Sequence, residues 1–103
     1  MDASKNQWVT RKISDSEIVD AIRAAGRPLQ RDELFVRIFL ARCDTHDCTK
    51  KESQRLLRFY KFIRRVDTQS FFSLFWEMMS SGVLYLDSEN NLERIGLQKA
   101  PKR

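Results

Sequence analysis

Apolar side chains recur at helical spacing in four stretches of this chain and in two short alternating runs near its end. Ser14-Asp15-Ser16-Glu17 has the form of a capping box, a serine N-cap with glutamate three residues later. The helix it opens repeats Ile18, Ala21, Ile22 and Ala25 on one face, and Gly26 follows where a left-handed C-cap residue belongs. Pro28 forbids continuation and suits entry to the next element. Residues 30–40 predict a second helix, with Leu34, Phe35, Ile38 and Phe39 on one face and Arg31 and Arg37 outside.

Residues 41–48 are polar and are expected to form a loop. Thr49 then reads as the N-cap of a third helix running to Val66. Its apolar stripe is expected to be Leu56, Phe59, Tyr60 and Ile63, flanked by Leu57 and Phe62. Asp67 and Thr68 interrupt the pattern and can cap a fourth helix to about Ser81. There Phe71, Phe72, Leu74, Phe75, Trp76, Met78 and Met79 cover most of the circumference, leaving a narrow polar stripe of Ser70, Ser73, Glu77 and Ser80. Such a helix is either central in the core or covered by a partner.

Gly82 ends that helix, and residues 83–86 and 92–97 read as two strands joined by the turn chemistry of Ser88-Glu89-Asn90-Asn91. At the other end, residues 8–13 are partly β-branched and predict a strand or extended arm packed through Trp8. The expected organisation is an N-terminal arm over 1–13, one domain over 14–97 and a basic disordered tail over 98–103. The fold class is α+β and mostly helical, with about four helices and a C-terminal β-hairpin.

The length of 103 residues suits one domain with a modest core, and three glycines and two prolines argue against a β architecture of many tight turns. The start is polar, without the apolar run of a secretory signal, and no stretch approaches the ~20 apolar residues needed to cross a bilayer. Two cysteines do not make a disulfide framework, so a reducing, cytoplasmic setting without membrane association is expected.

Charge changes the picture most. The chain carries +5, yet residues 50–65 hold seven cations against Glu52 alone, a local +6 that leaves the remainder at −1. Basicity this local is what a surface for a polyanion looks like. Lys51, Arg55, Arg58, Lys61 and Arg65 line one face of the third helix, at a spacing that can follow a phosphate backbone. A solvated helix face is the plain alternative.

Two segments carry a resemblance. Residues 18–34, a helix followed by Gly26-Arg27-Pro28-Leu29 and the start of a second helix, resemble the opening of winged helix-turn-helix domains of bacterial, phage and plasmid regulators. Residues 75–86, with Gly82 between helix and strand, resemble the junction leading into the wing. The resemblance covers about residues 14–97. It implies a small DNA-binding transcriptional regulator, with duplex DNA ahead of RNA. It makes Thr68, Gln69 and Ser70, at the start of the pre-wing helix, the candidate base readers, and Arg94 a candidate wing contact. The chain departs from the pattern in having an extra helix, the basic one, between the second helix and the pre-wing helix.

The aromatic helix over 71–79 is the expected surface of a homodimer. The rival to DNA binding is an adaptor or inhibitor that docks on another protein through its basic or aromatic helix. Cys43, His46 and Cys48 could offer three metal ligands, but a second paired group is missing, so no metal and no cofactor are expected. One histidine and scattered carboxylates, without a glycine-rich phosphate loop, give no support to an enzyme.

Overall fold

The computed structural model describes the backbone of residues 7–66, 68–89 and 92–98, and the side chains of 7–64, 71–88 and 92–98. The leader before residue 7, the hairpin tip at 90–91 and the basic tail from residue 99 lie outside the described residues. Among those described, the order is α1 (Gln7–Thr10), α2 (Asp15–Ala25), α3 (Arg31–Thr45), α4 (Lys50–Val66), α5 (Thr68–Ser80), β1 (Leu84–Glu89) and β2 (Leu92–Leu97). The chain is thus mostly helical with a C-terminal antiparallel hairpin, an α+β arrangement. Among the described residues no helix is long and apolar enough to cross a membrane.

The start and stop signals of α2 act as their chemistry requires. Ser14 Oγ accepts from the Glu17 N–H at 3.3 Å, and Glu17 Oε1 accepts from the Ser14 N–H at 3.1 Å. Gly26 closes the helix at φ 69°, donating its N–H to the Ile22 carbonyl at 3.0 Å. The chain then turns at Pro28 so that Leu29, fully buried, pairs with the hairpin. The Leu29 N–H donates to the Ile95 carbonyl at 2.9 Å, and the Ile95 N–H donates back at 2.7 Å. β2 therefore has β1 on one side, in the register Leu86–Ile95, and a single residue of the α2–α3 connection on the other.

Three expectations need correction. The arm at residues 8–13 is not a strand: Gln7–Thr10 is one helical turn, although Trp8 does pack inward, its ring 5.9 Å from Phe39. The second helix does not stop at Leu40, and residues 41–48 are not a loop, because α3 runs on to Thr45. β1 begins at Leu84 and reaches Glu89, so it is longer than the expected 83–86.

The first two corrections share one cause, Arg42. Its side chain is only 3% exposed. Nε donates to Glu17 Oε2 at 2.5 Å and Nη2 to Glu17 Oε1 at 2.8 Å, a bidentate pair. Nη1 donates to the carbonyls of Trp8 at 2.9 Å and Arg11 at 3.0 Å, and Nη2 to that of Lys12 at 3.1 Å. All five guanidinium N–H groups are thereby used. α3 must continue far enough to carry Arg42 inward, and the carbonyls left over at the end of α1 are held by that same side chain. Burial is the largest influence on the Glu17 carboxyl and acts to raise its pKa. Hydrogen bonds from Arg42 and Ser14, with the charge of Arg42, outweigh burial and hold the group below its ordinary value.

The core lies between α2, α3, α4, α5 and the hairpin. Tyr60, Phe39, Ile18, Leu34, Ile38, Leu84 and Val9 are all fully enclosed. Aromatic contacts cross it in sequence: Phe39 meets Tyr60 at 5.2 Å, Phe35 meets Phe71 at 4.2 Å, and Phe71 meets Phe75 edge-on at 4.0 Å. Each such ring, fully buried, contributes about 1.5–3 kcal/mol relative to exposure.

Candidate nucleic-acid interface

α4 starts where its cap predicts: Thr49 Oγ1 accepts the Glu52 N–H at 3.1 Å. The helix meets the core along one i, i+4 row, Leu56, Tyr60 and Arg64, with Leu57 and Ile63 half-buried beside it. This changes the expected apolar stripe. Phe59 is not in it but 49% exposed, and Phe62 is 63% exposed. Arg64, one of the seven cations of the basic segment, is only 4% exposed and is lost to the surface. Its guanidinium lies over the Tyr60 ring, 5.3 Å from the centroid. Arg64 Nε and the Tyr60 hydroxyl are buried with no hydrogen-bond partner among the described residues. Burial pushes the Tyr60 phenol up to about 12.

On the outer side, Lys51, Arg55, Arg58 and Lys61 are all exposed. Among the described residues none of them is ion-paired, whereas Arg23, Arg27, Arg37 and Arg42 each have a carboxylate within reach. Arg23 of α2 and Arg37 and Arg42 of α3 are thus locally neutralised, whereas the outer cations of α4, like Arg31 at the start of α3, have no carboxylate within reach among the described residues. Lys61 also stands at the rim of a cavity of about 510 Å³, with Arg31, Asp32, Glu33 and buried Arg64 around it.

The other candidate residues are placed differently. The side chains of Arg65, Thr68, Gln69 and Ser70 lie outside the described residues, although the backbone of the last three forms the first turn of α5. Arg94 is half-buried on β2 opposite Asp87, and its charge is one of those that hold the Glu33 carboxyl low, behind the larger effect of the Arg27 hydrogen bond. It therefore stands among carboxylates. In α5, Phe71, Phe75 and Met78 point into the core, while Phe72 is 46% and Trp76 67% exposed. With Leu86 of β1, these two rings border an apolar groove of about 470 Å³ that also touches Arg31, Asp32 and Glu93.

Around the candidate metal ligands, Cys43 is buried in the core, and desolvation, helped by Cys48 and Asp44, pushes its thiol up to about 12. The His46 ring stacks on Trp8 at 4.7 Å. Among the described residues no three metal-binding side chains come together.

Sequence reasoning missed Arg42 and Arg64. Period places Arg42 four residues after Ile38 and Arg64 four after Tyr60, on the core rows of their helices, but only their tertiary surroundings show that a charged side chain faces inward there. Comparison of the chain with protein-family models, with curated proteins and with solved structures finds no match.

Proposed function

We propose that this domain binds nucleic acid through the outer face of α4, contacting phosphates with Lys51, Arg55, Arg58 and Lys61, and that it serves as a small regulator of gene expression. The observation that carries the reading is the set of four exposed cations on the outer face of α4 that have no ion pair among the described residues, while Arg23, Arg27, Arg37 and Arg42 each reach a carboxylate. Four phosphate contacts are enough for low-salt affinity that falls steeply as salt rises. The winged-helix resemblance draws support from the isolated Leu29–Ile95 bridge, by which the α2–α3 connection pairs one residue with the hairpin.

The test is fluorescence anisotropy of labelled oligonucleotides across a salt series, with wild type and an Arg55→Glu/Arg58→Glu variant. Expected are binding at low salt, a linear fall of log affinity with log salt, and loss of binding in the variant. Absence of any retention at low salt overturns the proposal. Nuclease-insensitive recovery of one stoichiometric protein partner would favour the adaptor reading.

A separate observation bears on assembly. The groove beside Phe72 and Trp76 carries one cation, Arg31, and two carboxylates, Asp32 and Glu93. In a two-fold pair Arg31 of each copy can face a carboxylate of the other, a complementarity that the basic α4 face cannot offer. We propose that two copies pair there.

A further inference from the structure

Two phenylalanines stand on the face of α4 that carries the free cations. A helix turns about 100° per residue and rises about 1.5 Å. Lys51, Arg55, Arg58, Phe59 and Phe62 therefore fall within a sector of about 100° and along about 16 Å of axis. Within that sector Phe62 lies between Arg55 and Arg58, and both phenylalanines are half or more exposed. The rings contribute little to the core, and they occupy positions where a purely electrostatic surface would carry polar side chains.

A duplex has no use for these rings on a backbone-tracking face. Its base faces are stacked against one another, and its major-groove edges offer an apolar side chain only the thymine methyl. A single strand offers both components of this surface: phosphates for the cations, and unstacked bases whose π-faces pack on aromatic rings. Phe59 and Phe62, three residues apart, are about 4.5 Å apart along the axis, so neighbouring bases can reach both.

We infer that α4 takes single-stranded nucleic acid, with bases stacked on Phe59 and Phe62 and the flanking phosphates on Lys51, Arg55 and Arg58. This rests on the nucleic-acid reading of the same helix and narrows it to single strands, in place of the duplex that the winged-helix resemblance implies.

The experiment compares a labelled oligothymidine 12-mer, an oligouridine 12-mer and a duplex of the same length, by anisotropy over a salt series. Wild type is expected to bind the single strands more tightly than the duplex. Phe59→Ala/Phe62→Ala is expected to lose roughly 30-fold or more in single-strand affinity with the salt slope unchanged, because stacking releases no counterions. Arg55→Ala/Arg58→Ala is expected to reduce the slope by about 1.4, or about 0.7 per phosphate on a single strand. Phe62→Trp keeps the ring, so it is expected to retain affinity and to show quenching of its fluorescence on binding. All three variants change exposed side chains, and circular dichroism confirms that they fold. Duplex bound as tightly as single strand, with the double phenylalanine variant unaffected, overturns the single-strand inference while leaving nucleic-acid binding intact. Failure of every probe at low salt overturns the underlying reading as well.

Discussion

Arg42 ties α1 and the start of α2 to α3, and its removal is predicted to be strongly destabilising. Arg42→Met keeps most of the side-chain volume and deletes the charge and all five donors. Glu17 then loses its bidentate partner, and the carbonyls of Trp8, Arg11 and Lys12 lose theirs. Removing one partner of a buried ion pair costs about 3–5 kcal/mol. Glu17 keeps 20% of its side chain exposed, so water reaches the stranded carboxylate and places the cost near the lower end, about 3 kcal/mol. In a domain of this size that is a fall in Tm of about 12–24 °C. Arg42→Lys retains the charge, but a single ammonium cannot serve Glu17 and three carbonyls at once, so about half the loss is expected.

The assay is urea denaturation at neutral pH followed by far-ultraviolet circular dichroism, with Glu17→Gln and the double variant completing a cycle. The double variant is expected to be less destabilised than the sum of the singles. The acid limb adds a second check. The Glu17 carboxyl is held below its unfolded value, so its contribution is complete above that value and is lost as pH falls through the lower folded one. This component of acid destabilisation should shrink in Arg42→Met, where only the Ser14 hydrogen bonds still favour the carboxylate. If Arg42→Met stays within about 0.5 kcal/mol of wild type, as an ordinary surface substitution does, the account of α1 and of the end of α3 is wrong.

Three further outcomes follow from particular contacts. A Cβ at Gly96 would sit 2.6 Å from the Tyr85 ring across the hairpin, so Gly96→Ala must displace that ring. A loss of about 1 kcal/mol is expected, and it should vanish in a Tyr85→Ala background. Tyr60→Phe removes a buried hydroxyl with no partner among the described residues, and thermal denaturation should show stability unchanged or raised by up to about 1 kcal/mol. A clear loss there would reveal a partner for the hydroxyl. Trp76→Glu places a charge at the centre of the proposed pairing face, so sedimentation equilibrium should show a shift from dimer to monomer with the circular dichroism spectrum unchanged; a wild type that is monomeric at high concentration refutes the pairing.

Most elements were legible because their signals are local. The Ser14–Glu17 capping box, Gly26, the Thr49 cap and Gly82 each act within four residues of themselves, and the elements they bound lie at or within a few residues of where they were expected. The features that escaped depend on distant partners. Gln7–Thr10 has β-branched neighbours and reads as extended, but its helix end is held by Arg42, more than thirty residues away in sequence. Residues 41–45 read as loop because Arg42, Asp44 and Thr45 are polar, and only the tertiary partners of Arg42 show why one of them faces inward. In the candidate site, the exposed cations of α4 were legible from spacing. The expected base readers Thr68, Gln69 and Ser70 have side chains outside the described residues.

The inversion within α4 is the strongest reason to regard its surface as a site rather than a solvated face. Hydropathy alone puts Phe59 and Phe62 inside and Arg64 outside, yet the structure does the reverse. Leaving two rings about half exposed forgoes about 0.8–1.5 kcal/mol each, taking half of the value of a fully buried phenylalanine. Burying Arg64 with Nε unpaired adds a desolvation cost of about 1–3 kcal/mol. A helix whose whole task was to close the core over Phe39 and Phe71 would do better with a leucine at 64 and polar residues at 59 and 62. Local choices that oppose stability concentrate where a surface has a second task. Under the single-strand proposal the aromatic rings and the cations are used together, because a strand with exposed bases and a charged backbone supplies a partner for both.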